Sequence, residues 1–90
     1  MALHLEDNKH LTGNLDHIKS FTRLETLQMN NTQVCGSLSS LSGMTKLAAL
    51  FLERTKVTGT LEDLKPCRKL RVIDLSNNME VGLTITILGL

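Results

Sequence analysis

Residues 24–46 read LETLQMNNTQVCGSLSSLSGMTK, and residues 47–69 read LAALFLERTKVTGTLEDLKPCRK. The two stretches superpose without a gap, because each has 23 residues and the same side-chain types recur in the same places. The period continues on both sides of this pair in the glycines, which are spaced 23 residues apart: Gly13, Gly36, Gly59 and Gly82. A repeat of this length indicates stacked units, because a single unit cannot bury its own apolar face.

Each unit contains one predicted strand, a turn and a return segment. The opening L-x-x-L-x-L alternates with period two, as a half-buried strand does. After the glycine, apolar residues recur at every third position, as in Leu38, Leu41 and Met44, which favours a 3₁₀-like or irregular return segment. We therefore expect parallel strands, hydrogen-bonded in sequence order, centred on Leu3–Leu5, Leu27–Met29, Leu50–Leu52 and Ile73–Leu75.

The pattern L-x-x-L-x-L-x-x-(T/N)-x-V-x-G-x-L resembles the leucine-rich repeat, and in particular its plant-type subclass. It runs closely from Leu24 to Asn78 and more loosely from Leu3 to Leu15. The usual proline after the Gly-x-Leu step is absent, and Thr32 and Thr55 stand where the family has asparagine. The resemblance implies an α/β solenoid, a right-handed coil with a short parallel sheet of about four strands and irregular or 3₁₀ return segments.

The repeat predicts one domain over residues 1–90, with units at about 1–23, 24–46, 47–69 and 70–90. The first strand, at Leu3, has nothing predicted to cover its edge, and Val81–Leu90 is apolar and uncharged. Bare apolar edges of this kind promote aggregation. We therefore expect an uncapped array or part of a larger assembly, in which another chain covers both segments.

The composition excludes several classes of protein. Ten Lys and Arg against nine Asp and Glu give a net charge of +1, which argues against a general polyanion binder. The longest apolar run, Leu47–Leu52, is far shorter than the ~20 residues of a membrane span, and no signal-peptide pattern follows Met1. Cys35 is predicted exposed and Cys67 buried, so that they remain unpaired. These features favour an intracellular location, with an extracellular one left open.

No pattern of reactive side chains indicates catalysis. The three histidines, His4, His10 and His17, lack metal-ligand spacing, and the glycines form no phosphate-binding loop. No nucleophile elbow is present. We expect no enzyme activity, metal, cofactor or small-molecule substrate. An N-x-T sequon begins at Asn30, but its threonine falls at a predicted buried position, so a glycan is not expected.

The strand residues that flank the buried leucines define what we call the outer sheet face. It contains three acids and no Lys or Arg, so it repels phosphate and nucleic acid is not an expected partner. In leucine-rich repeats this is the concave surface to which partners bind. Phe51, beside Ala49 and Val72, is either an interface hot spot or a stray surface aromatic. The face comprises His4, Glu6, Thr26, Gln28, Asn30, Ala49, Phe51, Glu53, Val72, Asp74 and Ser76.

Basic residues collect just before the strands. One residue per unit recurs every 23 positions, and two further arginines lie beside the last of them. Neighbouring units stack about 4.8 Å apart, so these like charges form a close column. It is either a solvated edge or a strip for an acidic partner. We call it the basic strip: Arg23, Lys46, Arg68, Lys69 and Arg71.

Two further columns are predicted to be buried. The polar column consists of Asn8, Thr32, Thr55 and Asn78. Its side chains are expected to satisfy backbone groups in the turn of their own unit and the next, because buried backbone polar groups need partners. In the return segments, Phe21, Met44 and Cys67 form an apolar column.

The sequence thus predicts a non-catalytic protein-interaction module that binds through the outer sheet face. Two alternatives remain open at this point. The chain is a structural or accessory subunit docked in a large multiprotein complex, or it is the recognition fragment of a longer receptor-like or enzyme-linked protein.

Overall fold

The structure is a computed structural model that describes residues 1–75. Short strands alternate with 3₁₀ helices along the chain. The elements are β1 (Ala2–His4), β2 (Thr12–Asn14), η1 (Leu15–Ile18), β3 (Thr26–Gln28), β4 (Gln33–Ser37), η2 (Leu38–Leu41), β5 (Ala49–Phe51), β6 (Lys56–Thr58), η3 (Leu61–Leu64) and β7 (Val72–Asp74). The 3₁₀ return segments predicted from the period of three are confirmed.

The first strands of the units form a parallel sheet in the order β1-β3-β5-β7, which confirms the predicted pairing in sequence order. Its register places Leu27 opposite Leu50, and Leu50 opposite Ile73. Each strand begins one residue earlier than predicted. The ladder nevertheless continues beyond the strands, since Leu52 N donates to Asp74 O at 2.9 Å and Asp7 N donates to Asn30 O at 2.9 Å.

A second parallel sheet, β2-β4-β6, was not predicted. It forms after each turn, where Val34 and Val57 insert into the core. Its register is staggered relative to the sequence repeat, because Gly36 lies opposite Val57 rather than opposite its equivalent, Gly59. Two of its strands have only three residues and two contain a glycine, so their alternation is too weak to be recognised in the sequence.

Glycine is required where this second sheet meets the 3₁₀ helices. Gly36 has a φ of +108° and Gly59 has a φ of +112°, and residues other than glycine rarely adopt such backbone conformations. A Cβ on Gly36 would lie 2.5 Å from Asn14 Oδ1, and one on Gly59 would lie 3.2 Å from Leu38 N. The missing side chain therefore lets successive units approach closely.

Polar residues cap the 3₁₀ helices. Asn14 Oδ1 accepts a hydrogen bond from Asp16 N at 2.9 Å, and Ser37 Oγ accepts one from Ser39 N at 3.1 Å. These side chains satisfy amides at the helix start that have no intrahelical partner. Each unit therefore turns from its second strand into the return segment at a defined residue.

The core is a stack of aliphatic side chains enclosed by the two sheets and the 3₁₀ helices. Leu27, Leu50 and Leu38 are fully buried. Met44 and Cys67 are buried as predicted, but the prediction for Phe21 is wrong, since 43% of its surface is exposed. Met44 packs between neighbours on both sides, whereas Phe21 belongs to the first unit, which has a described neighbour on one side.

Within residues 1–75, no helix has the length and apolar character that crossing a membrane requires.

Candidate protein-binding face

The strand alternation turns one row of side chains inward and the flanking rows outward, as predicted. Val72 is 45% exposed and His4 is exposed. The other described members of the outer sheet face are half-buried: Glu6, Thr26, Gln28, Asn30, Ala49, Phe51, Glu53 and Asp74. Ser76 lies outside the described residues.

The aromatic ring of Phe51 occupies the middle of this face. The register places Gln28 on one side of it and Asp74 on the other. The ring is half-buried rather than exposed as the sequence predicted, because the neighbouring strands flank it. The adjoining row contains Ala49 and Val72, so that an apolar patch adjoins the ring.

At the β1 edge of the face, the imidazole of His4 is hydrogen-bonded to a side chain of the neighbouring strand β3. Its Nδ1 donates a hydrogen bond to Gln28 Oε1 at 2.8 Å. The same nitrogen lies 3.7 Å from Glu6 Oε1, which is within ion-pair range but too far for a hydrogen bond. His4 therefore links β1 to β3 and leaves the Glu6 oxygen unsatisfied.

Glu6, Asn30 and Glu53 form a row across the strand ends, which we call the acceptor row. Glu6 Oε1, Asn30 Oδ1 and Glu53 Oε1 are each shielded from solvent, and none has a hydrogen-bond partner among the described residues. The backbone bond from Asn31 N to Glu53 O, at 3.0 Å, holds the second and third members on adjacent strands. Sequence reasoning placed these residues on the face but did not find that their oxygens lack donors.

The electrostatic surroundings of Glu53 are unfavourable for its charge. Burial raises the pKa of this carboxyl above its usual value of 4.5, and the carboxylates of Asp74 and Asp7 raise it further. A backbone hydrogen bond, second in effect only to burial, and the Arg54 guanidinium lower the pKa. The net effect disfavours the ionised form of Glu53 in the folded chain.

The polar column differs from its prediction at one end. Thr32 and Thr55 are buried, as expected, but Asn8 is exposed and donates to Leu5 O at 2.8 Å. Asn8 lies in the first unit, so it has a described neighbouring unit on one side only. Asn78 lies outside the described residues.

The buried threonines satisfy their own turns. Thr32 Oγ1 donates to Met29 O at 2.7 Å and accepts from Val34 N at 3.4 Å. Thr55 Oγ1 donates to Leu52 O at 2.8 Å. These bonds confirm the part of the prediction that concerned each residue's own unit, and they leave the column in a structural role.

A third row, which sequence reasoning missed, separates the acceptor row from the polar column. Asp7, Asn31 and Arg54 have φ values of 63°, 58° and 56°, in the left-handed region. Asn31 Nδ2 donates to Asp7 Oδ1 at 2.8 Å, which ties the first two turns together. Asp and Asn tolerate this conformation better than other residues, and that preference was the available signal.

The basic strip is exposed at every position. A shallow depression beside it is lined by Thr45, Lys46, Lys65, Pro66, Arg68 and Lys69, so the structure adds Lys65 to the predicted set. Lys65 Nζ lies 2.8 Å from Glu62 Oε2, and both side chains are largely exposed. Because this strip precedes the strands and the acceptor row follows them, opposite charges lie at opposite ends of the sheet.

The cysteines lie where the sequence placed them. Cys35 is exposed, Cys67 is buried, and both are free. Burial raises the pKa of the Cys67 thiol, whose Sγ lies 3.2 Å from Leu41 O. Cys67 is therefore a residue of the core. Within the described part of the chain, no group of three or more His, Cys, Asp or Glu side chains is arranged to hold a metal ion.

Comparison of the chain with protein-family models, with curated proteins and with solved structures finds no match.

Proposed function

We propose that the chain is a right-handed leucine-rich-repeat solenoid, one domain over residues 1–90, that acts as a non-catalytic protein-interaction module. The support for this fold is the agreement between sequence period and strand pairing. Leu27 pairs with Leu50, and Leu50 with Ile73, each at the 23-residue step of the repeat. The free thiols favour a reducing, intracellular compartment.

The observation that carries the function is the apolar patch in the middle of the outer sheet face. A half-buried ring, Phe51, adjoins Val72, which is 45% exposed on a strand. Binding hot spots are enriched in aromatic side chains, lie near the centre of an interface and are ringed by contacts that exclude water, with a polar rim outside them. The polar residues around this patch are Glu53, Asp74 and Gln28. A folded or extended segment of another protein fits this surface better than a nucleic acid, whose phosphates the acids repel.

A second candidate function is a structural subunit that docks through its first unit. Phe21, 43% exposed, is the observation that favours it. Ile18, in the preceding 3₁₀ helix, is half-buried. The acidic-partner role of the basic strip belongs to this candidate, since Arg23 follows Phe21 closely in the chain.

The chain's two phenylalanines provide a matched test. Random dodecapeptides displayed on phage are selected against the full chain, and the affinity of the enriched peptides is measured by calorimetry for wild type, Phe51→Ala and Phe21→Ala. We expect Phe51→Ala to weaken binding at least about 30-fold, corresponding to ~2 kcal/mol, and Phe21→Ala to leave it unchanged. Circular dichroism confirms that both variants fold.

The opposite pattern identifies the other candidate. If Phe21→Ala abolishes binding and Phe51→Ala does not, the first unit is the docking surface. If neither substitution affects the selected peptides, the outer sheet face is not centred on Phe51, and the proposed function is wrong.

A further inference from the structure

We propose that the partner of the outer sheet face presents a basic segment, with Arg or Lys side chains that donate to the acceptor row of Glu6, Asn30 and Glu53. This inference rests on the proposed function, because it specifies what binds at the same face. It is carried by three shielded oxygens that have no hydrogen-bond donor among the described residues, by three carboxylates and no Lys or Arg on the described part of the face, and by the apolar patch beside them.

The first argument concerns hydrogen bonding. Buried oxygen acceptors almost always have a donor, and an acceptor left without one is costly to the folded chain. Glu6 Oε1, Asn30 Oδ1 and Glu53 Oε1 have no such donor among residues 1–75. The unsatisfied atoms are all acceptors, so the complementary group is a donor. Arg, with five N–H groups, and Lys, with three, supply several donors without adding acceptors, and unlike the single donor of Trp they carry a positive charge.

The second argument concerns charge. The described part of the outer sheet face contains Glu6, Glu53 and Asp74 and no Lys or Arg. Burial and the neighbouring carboxylates raise the pKa of Glu53, so an approaching cation would relieve an existing repulsion. Hydrogen bonds from a cationic donor to a carboxylate are about twice as strong as neutral ones.

The third argument concerns shape, and it favours a peptide over a metal ion. Glu6 follows β1 and Glu53 follows β5, and β3 lies between these two strands, so the two backbones are about 10 Å apart. Oxygens that share one calcium ion lie about 2.3–2.6 Å from it, which this separation does not favour. A polyproline II segment rises about 3.1 Å per residue and has three residues per turn, so two basic side chains three positions apart point to the same side and span about 9 Å of the row. The apolar residue between or beside them would rest on Phe51 and Val72.

The selection described above, with one further variant, tests the inference. Random dodecapeptides are selected in parallel against the full wild-type chain and against the double variant Glu6→Gln, Glu53→Gln, which preserves side-chain size and removes charge. We expect peptides enriched on wild type to carry two or more Arg or Lys residues within three positions of each other. We expect that enrichment to be lost on the double variant.

A chemical substitution in the leading peptide isolates the charge. Replacing each arginine with citrulline keeps the side-chain shape and removes the positive charge. We expect this replacement to weaken binding to wild type at least tenfold, and the weakening to shrink as the salt concentration rises from 0.05 to ~0.5 M. The double variant should bind the arginine and citrulline peptides equally well.

The outcomes separate the inference from the proposed function. If the enriched peptides need Phe51 but carry no excess of basic residues, or if citrulline replaces arginine without loss, the inference is wrong and the proposed function stands. If no selected peptide depends on Phe51, the proposed function is wrong, and the inference about its partner fails with it.

Discussion

The acceptor row and the polar column cross the same strand ends, two residues apart in the sequence. They differ in whether other groups of the chain supply hydrogen-bond partners to their side chains. Thr32 and Thr55, in the polar column, are buried and bonded to backbone groups of their own turns. In the acceptor row, Asn30 and Glu53 carry shielded oxygens that no described residue satisfies. The inner row therefore contributes to stability, whereas the outer row is where the proposed function places the partner.

The left-handed residue between the rows explains how such near neighbours reach opposite faces. In a strand, residues two apart point to the same side of the sheet. Arg54, with a φ of 56°, interrupts this alternation, so Glu53 stays on the outer face while Thr55 enters the core. Without that turn both rows would share one environment.

Among the polar groups at the strand ends, the inner row has the largest expected effect on stability. Thr32→Val keeps the side-chain shape but leaves Met29 O and Val34 N without their hydroxyl partner. Because buried backbone groups without partners cost about 1–3 kcal/mol, we expect the free energy of unfolding to fall by about 2 kcal/mol. Urea denaturation followed by circular dichroism measures it. Thr32→Ser, which keeps the hydroxyl, should lose much less, and equal losses would refute the hydrogen-bond argument.

The next effect compares the outer face with the core directly beneath it. Phe51→Ala removes a half-buried ring, so we expect a loss of about 1 kcal/mol. Leu50→Ala removes a fully buried side chain on the same strand and should cost about 2–5 kcal/mol. Urea denaturation of both variants measures the two losses in the free energy of unfolding. A loss for Phe51→Ala as large as that for Leu50→Ala would show that the ring serves the core and not a partner.

A smaller effect, of opposite sign, is expected at the turn that separates the rows. The equivalent positions are Asn31 and Asp7, which tolerate a left-handed backbone, whereas Arg54 does not. We therefore expect Arg54→Asn to stabilise the chain by about 0.5–1 kcal/mol in thermal unfolding. Arg54→Ala, which keeps the unfavourable conformation, is the control and should produce no gain. If the two variants behave alike, backbone strain at this turn is not significant.

Much of this arrangement could be predicted from the sequence, because the strong signals were periodic. The 23-residue step predicted which leucines pair, and the period of three predicted the 3₁₀ helices. The second sheet was missed because Thr12–Asn14 and Lys56–Thr58 are too short to show alternation. Phe21 and Asn8 were assigned to buried columns by register alone, and register does not reveal how many neighbouring units cover a residue.

The sequence could predict where the candidate site lies, but not whether its oxygens have hydrogen-bond donors. Alternation placed Glu53 and Asn30 on the outer face correctly. Whether their oxygens have donors depends on distances of a few tenths of an ångström, as the 3.7 Å separation of His4 Nδ1 from Glu6 Oε1 shows. Such distances follow from packing between strands and leave no pattern in the sequence.

The smallest expected effect tests the acceptor row itself, through the pH dependence of stability. The pKa of Glu53 in the folded chain is raised above 4.5, so folding favours its protonated form. Its contribution to stability is therefore fully present below pH 4.5 and is lost as the pH rises through the folded pKa. Glu53→Gln is neutral throughout, so it should match wild type near pH 4 and exceed it at pH 7. Because the carboxyl is only partly buried, we expect a difference of a few tenths of a kcal/mol.

Urea denaturation of both proteins between pH 4 and pH 7 measures this difference. Glu62→Gln is the matched control, because Glu62 is 73% exposed and pairs with Lys65 on the surface. It should show no gain at pH 7, since its carboxylate is solvated and has a cationic neighbour. If Glu53→Gln is instead less stable than wild type at pH 7, the ionised Glu53 has favourable donors within the chain. The contrast between the two rows would then fail, because both would be satisfied without a partner.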